Sequence, residues 1–331
     1  MRVTTLDAHI GGAAVRLVTS GLPRIVGESM AERRLSFEDA AGDVGLLLTR
    51  EPRGHAGMVG VVLTECDRPD ADAGLLFFTG AGARPLSGHA AMGAAALALN
   101  HGLVSPRTPD VLHIDSESGA AALHVAARDG AQRVTAIRFE GPPAAVLRGD
   151  VRVTTSRRTL RVDLAWSGSE VVAIVEGEAA GVPLSSAHTL ELRRTALELI
   201  TTLDAMLTLT PPGLRDTIPV TACAFVGPAT DLGADVRSVL VRGDGSVSRS
   251  PSISGTTAVS VVLAAMGLLT PGAVCRHESL SGTSWIAEAT PSPLDPASLM
   301  TVAVTAEVHA TGSHEFVLRP GDRLTRGVPW L

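Results

Sequence analysis

Residues 87–104 read SGHAAMGAAALALNHGLV, and residues 252–270 read SISGTTAVSVVLAAMGLLT. Neither stretch has a polar stripe at helical spacing, and a helix that is apolar all round is buried on every side. Each therefore needs a shell around it. The rest of the chain offers one in short β-like runs that end in Gly, Pro or a charged turn. Examples are AVRLVTSGLP (14–23), VGLLLTREP (44–52), MVGVVLTEC (58–66), GLLFFTGAG (74–82), EVVAIVEGE (170–178), VRSVLVRGDG (236–245) and MTVAVTAEVHATG (300–312). The expected fold is α/β, with two pseudo-twofold-related domains. Each is a curved, mostly antiparallel sheet wrapped around a central buried helix.

The two helical stretches align without gaps. Setting Ser87 on Ser252 sets Gly102 on Gly267, an offset of 165 residues, close to half of a 331-residue chain. Both glycines then stop a helix ahead of an apolar residue, Leu103 or Leu268. An internal duplication follows. The expected division is a first domain over 1–140, completed by about 318–331, and a second over 141–317, with a cleft between them. Two helix N-termini facing one cleft would offer free N–H groups and positive dipole ends to a carboxylate. On residue type alone Ser87 and Ser252 read equally as N-caps, which Ser favours.

Composition closes off several classes. All 28 basic residues are Arg, so pyridoxal phosphate and P-loop chemistry, each of which needs a Lys, are excluded. A net charge of -6 without a basic cluster argues against nucleic acid as a partner. No apolar run reaches bilayer length and the N-terminus lacks a signal-peptide core, so no membrane role is expected and the cytoplasm is the anticipated location. Cys66, Cys223 and Cys275 show no CxxC spacing, and neither a disulfide framework nor a metal site is read from them.

Several further stretches carry a resemblance: DAHIGG (7–12), SMAERR (29–34), EPRGHAGMVGVVLTE (51–65), RPDADAGLLFF (68–78), LSGHAAMG (86–93), SRSPSISGTTA (248–258), HESLSGTSW (277–285) and ATGSHEFVL (310–318). In type, order and spacing the chain resembles the proline racemase family, of diaminopimelate epimerase-like fold, nearly end to end. The resemblance implies no cofactor, a small proline-like or other carboxylic acid as ligand, and an acid/base pair flanking the substrate α-carbon. It places Ser87 and Ser252 as that pair, where the family usually has two cysteines. Gly88, His89, Ala90, Ser248, Ile253, Ser254 and Gly255 are implied to line the ligand. A homodimer stays open.

The departures matter chemically. Ser248 stands where the family holds the substrate ammonium with Asp, Ile253 and Ala90 replace glycines, Gly57 stands in place of Asp, and Ala13 in place of Glu. A hydroxyl is a far weaker base than a thiol and needs a partner to take its proton. His89 is a candidate partner for Ser87; the sequence shows none for Ser252. Three readings stand: an isomerase or hydro-lyase acting on proline or hydroxyproline, the same fold recruited to another substrate, and a binding protein without turnover. Arg53 reads as a loop anchor, His55 as satisfying buried backbone, His277 as structural, and Glu278 as either structural or near the site.

Overall fold

A computed structural model describes residues 1–328. Of the stretch 318–331 read as completing the first domain, residues 329–331 lie outside the described residues. The chain forms two compact units: Met1–Phe139 with the chain from Glu307 onward, and Glu140–Ala306.

The first unit contains β1 (Arg2–Ile10), β2 (Ala13–Ser20), α1 (Met30–Thr49), β3 (Val59–Thr64), β4 (Ala73–Thr79), β5 (Gly82–Arg84), α2 (Gly88–Asn100), β6 (Val111–Asp115), β7 (Ala121–Arg128) and β8 (Val134–Glu140). The second contains β9 (Ala145–Thr154), β10 (Thr159–Trp166), β11 (Val171–Glu176), α3 (Gly177–Ala180), α4 (Thr189–Met206), β12 (Val220–Gly227), β13 (Val236–Arg242), α5 (Ile253–Ala265), β14 (Val274–Glu278) and β15 (Ser284–Pro291). The last strand, β16 (Met300–Val317), begins in the second unit and ends in the first.

The units repeat one topology. β1–β2 is antiparallel, β2–β3 parallel, β3–β4 antiparallel, β4–β6 parallel and β6–β7 antiparallel. The second unit repeats this as β10–β11, β11–β12, β12–β13, β13–β14 and β14–β15. A helix joins each parallel pair, as parallel strands require: α1 and α2 in the first unit, α4 and α5 in the second. Each sheet also curls toward closure. Residues 308–317 of β16 pair with β1, and Ala144 exchanges both backbone hydrogen bonds with Met300, at 2.7 and 2.8 Å.

Inside each curl sits the expected all-apolar helix. α2 packs against β1, β2, β3 and β7, and α5 against β9 to β13 and β15. Gly93 shows how tight this is, since a Cβ there would stand 2.6 Å from Ile10 Cδ1 and 3.2 Å from Val15 Cβ. Both helices have 13 residues. They also end alike: Leu103 N–H donates to Ala98 O (2.8 Å) and Leu268 N–H to Leu263 O (2.9 Å), across glycines at φ +64° and +73°. The 165-residue offset thus extends to the terminal hydrogen bonds, and the glycines stop both helices short of residues 104 and 270.

The stretch 44–52 is not a strand. Residues 44–49 form the last turns of α1, whose N-terminus is fixed by the N-cap Ser29 and by Glu32 reaching back to the residue before it. Glu32 N–H donates to Ser29 Oγ (3.2 Å) and Glu28 N–H donates to Glu32 Oε2 (2.7 Å). Short apolar runs fit helix and strand alike. The outer helices are amphipathic: α1 buries Phe37, Ala41, Val44 and Leu48, while α4 buries Leu192, Ala196, Leu199 and Leu203.

A buried pair staples the first unit. Arg16 donates from Nε and Nη2 to Asp7, the shortest at 2.7 Å, and from Nη1 to Leu48 O (2.5 Å) and Arg53 O (2.6 Å). Its guanidinium also lies 4.5 Å from the Phe316 ring centre. Arg53 anchors its own loop through Asp322 and Leu324 O, as read from sequence, whereas His55 is exposed and meets only Ala56 O at 3.0 Å. Cys223 and Cys275 are buried, Cys66 partly so, and all three are free thiols.

In the second unit the HES stretch (277–279) is buried and hydrogen-bonded. His277 is fully buried with Nε2 2.5 Å from Ser238 Oγ. Burial pulls its pKa from 6.5 to about 4. Burial pushes the Glu278 carboxyl up, but hydrogen bonds from Thr230 and Asp231 and the charge of Arg237 outweigh this and hold it below its ordinary range. Above pH 6.5 the His277 ring is neutral whether the chain is folded or unfolded, and stability is complete. Between pH 6.5 and about 4 the unfolded chain takes a proton that the folded chain refuses. Stability therefore falls with pH across that window, by roughly 3 kcal/mol from this group. Urea unfolding at pH 7 and pH 4.5 is expected to show the loss, and His277→Gln, less stable at pH 7, is expected to lack this component of the slope.

Candidate active site

Both serines stand where the N-cap residue of a buried helix belongs, yet neither side chain caps its helix. The backbone does conform: Ala91 N–H donates to Ser87 O at 2.8 Å and Thr256 N–H to Ser252 O at 2.9 Å. The N–H groups of the three residues preceding each of these donors lie ahead of the first intrahelical bond. They belong to Gly88, His89 and Ala90 in α2, and to Ile253, Ser254 and Gly255 in α5. Nothing local therefore occupies either hydroxyl as a cap, and each turns to other partners.

Ser87 is 4% exposed and extended, at φ -113°. Its Oγ lies 3.2 Å from His89 Nδ1, so the partner suggested by the sequence is in place. Gly88 and His89 are half-buried. Ala90 has no exposed surface.

Ser252 is 5% exposed and has φ +69°, ψ 138°, a backbone region costly for any residue with a side chain. It belongs to a polar cluster. Ser252 Oγ is 3.3 Å from Ser254 Oγ, and Ser254 Oγ donates a short hydrogen bond to Glu170 Oε1. Arg242 Nη2 lies 3.0 Å from Glu170 Oε1, 3.2 Å from Ser254 Oγ and 3.5 Å from Ser252 Oγ. Arg242 ends β13, and Glu170 ends the turn between β10 and β11. Ser167 holds Glu170 there: Ser167 N–H and Oγ donate to Glu170 O (3.0 and 2.9 Å), and Glu170 N–H donates to Ser167 Oγ (3.2 Å).

The structure thus joins Ser87 to His89 and Ser252 to Ser254. Ile253 is half-buried and Gly255 buried in the first turn of α5. Ser248 is half-buried, its N–H donating to Leu240 O at 2.9 Å. Glu170 and Arg242 were not found from the sequence. Glu170 lies in an ordinary turn far from Ser252 along the chain, Arg242 at a strand end only ten residues before it, and only the duplication gives a signal. In the first unit the residue ahead of the strand matching β11 is Gly12, which makes Glu170 an acidic residue without an acidic twin.

One continuous sheet that curls in two halves around apolar helices, each helix begun by an uncapped serine, defines a duplicated α/β protein of the diaminopimelate epimerase kind. The chain belongs to the proline racemase family, whose pattern matches residues 5–329. A proline racemase of Acetoanaerobium sticklandii is 27% identical over 330 residues, covering 98% of this chain and 97% of its own. A 4-hydroxyproline epimerase of Brucella ovis is 32% identical over 279 residues, covering 84% and 83%. Among solved structures, a hydroxyproline epimerase from Agrobacterium vitis with bound trans-4-hydroxy-L-proline aligns with TM-score 0.81 over 98% of this chain and 94% of its own, at 22% identity. That last likeness establishes the fold. No helix among the described residues is long and apolar enough to cross a membrane.

The backbone at Ser252 separates stability from chemistry. A positive φ is cheap only for glycine, so Ser252→Gly relieves strain that Ser252→Ala keeps. In thermal unfolding Ser252→Gly is expected to be more stable than Ser252→Ala by about 1 kcal/mol, while both lack the hydroxyl.

Proposed function

We propose that the protein is an epimerase acting at the α-carbon of a proline-type acid, with Ser87 and Ser252 as its proton-transfer groups. One hydroxyl takes the α-proton and the other returns one. The observation that carries this reading is that two serines, at the family's paired positions, open matching buried helices without capping them. Each is free to bond outward and each has a partner to trade protons with, His89 or Ser254. Free N–H groups and positive dipole ends at the helix starts suit the substrate carboxylate.

Ser248 favours a second reading of the ligand. A buried ammonium without a carboxylate partner is costly, and position 248 brings a hydroxyl where the family uses Asp. This favours an acid whose nitrogen is neutral or acylated, with the same proton chemistry.

The test is exchange of the α-proton with solvent deuterium across proline, the hydroxyprolines and their N-acyl derivatives. Exchange with inversion is expected for at least one of them. Ser87→Ala and Ser252→Ala are each expected to lower kcat by about a thousandfold, within the range for loss of a general acid or base. Absence of exchange with every compound overturns the reading, and inversion unaffected by either substitution overturns the roles of the serines.

A further inference from the structure

We infer that Glu170 is the proton acceptor for Ser252, reached through Ser254, with Arg242 setting the direction of the relay. This rests on the reading of Ser252 as a proton-transfer group, and it answers what a serine in that role requires: somewhere to send its proton.

Bond directions within the cluster follow from counting hydrogens. A hydroxyl has one proton to donate. Ser254 donates its proton to Glu170, so towards Ser252, 3.3 Å away, Ser254 only accepts and Ser252 is the donor. Arg242 Nη2 accepts nothing and has two protons to give; the nearer oxygens, Glu170 Oε1 at 3.0 Å and Ser254 Oγ at 3.2 Å, take them, and both bonds reinforce this order. Every proton in the series Ser252, Ser254, Glu170 therefore points away from Ser252. One lone pair of Ser252 Oγ is left to receive a proton from a substrate carbon. When it does, the Ser252 proton passes to Ser254 and the Ser254 proton to Glu170. The substrate keeps the electron pair of the broken C–H bond and the carboxylate becomes a carboxylic acid. The reverse sequence delivers a proton to carbon.

Placement supports a positioning and proton-accepting role. Three hydrogen bonds with Ser167 fix the Glu170 backbone in its turn. The other half has no counterpart: Gly12 holds the matching place, and Ser87 meets an imidazole instead.

The relay is tested on the full chain with the compound that shows inversion. Glu170→Gln keeps the shape of the side chain and removes its ability to take a proton. kcat is expected to fall about a hundredfold or more, with KM within about threefold of wild type. Ser254→Ala is expected to do the same while leaving the Glu170–Arg242 pair intact, and Ser254→Thr, which retains the hydroxyl, to recover most of the rate. The double variant is expected to be no slower than either single one, because both changes break one series. Unchanged kcat in Glu170→Gln and Ser254→Ala, or a loss confined to KM, overturns the relay and leaves the serine assignment standing.

If wild type inverts none of the compounds, the functional reading falls and the relay is judged without substrate, by phosphorylation with diisopropyl fluorophosphate. There Ser252 Oγ bonds to phosphorus, fluoride departs, and the serine proton passes through Ser254 to Glu170. Labelling of Ser252 in wild type, read by peptide mass spectrometry, and at least tenfold slower labelling in Glu170→Gln supports the relay. No label, or equal labelling in both, overturns it.

Discussion

A helix with no polar face leaves its surroundings little choice. α2 and α5 bury Ala, Val and Leu, with Met92 in α2 and the short hydroxyl side chains Thr256, Thr257 and Ser260 in α5, and water must be kept from nearly all of them. Flat sheets cover one side of a helix, so the strands curl until β16 reaches β1 in one unit and Ala144 reaches Met300 in the other. Enclosure has a chemical by-product. The flank of an enclosed helix is lost to any ligand, and what it still offers is its end. There the first backbone N–H groups lack helical partners, and there the two serines stand. On the proposed reading, the position of the chemistry is a corollary of how the core is built.

Duplication copied that arrangement and left the chemistry at each end free to diverge. The two helices share their length and their terminal hydrogen bonds, down to glycines in the left-handed region. The partners of their leading serines differ: one meets an imidazole two residues along its own helix, the other a hydroxyl and a guanidinium, which both hold a carboxylate from a third segment. Packing constrains the shared parts, since Gly93 has no space for a methyl group. The polar partners sit on a turn and a strand end, which tolerate change far better.

This division also explains what could be read from the sequence. The apolar helices, their offset and the serines leading them are local patterns, and they were legible without coordinates. So was the Ser87–His89 pair, because two residues of spacing place both groups at one helix start. The run 44–52 was misread as a strand because a short apolar segment has no decisive period, even though Ser29 and Glu32 mark a helix start just upstream. Glu170 and Arg242 were out of reach for a different reason. Their meeting with Ser252 depends on β11 lying beside β12 and β12 beside β13, and no residue near either one announces that pairing.

The strand β16 carries a consequence for how the molecule is made. Its last ten residues complete the sheet begun by residues 2–10, so β1 leaves the ribosome long before the strand that completes its sheet. The second unit is contiguous from Glu140 to Ala306 and has all its strands in hand earlier. Synthesis thus reverses the order of the sequence: the later half can close first, while β1 remains an open edge. Pairings this far apart close slowly, and open edges recruit other chains. The vulnerable moment in the life of this protein is therefore the interval between the emergence of β1 and the arrival of β16.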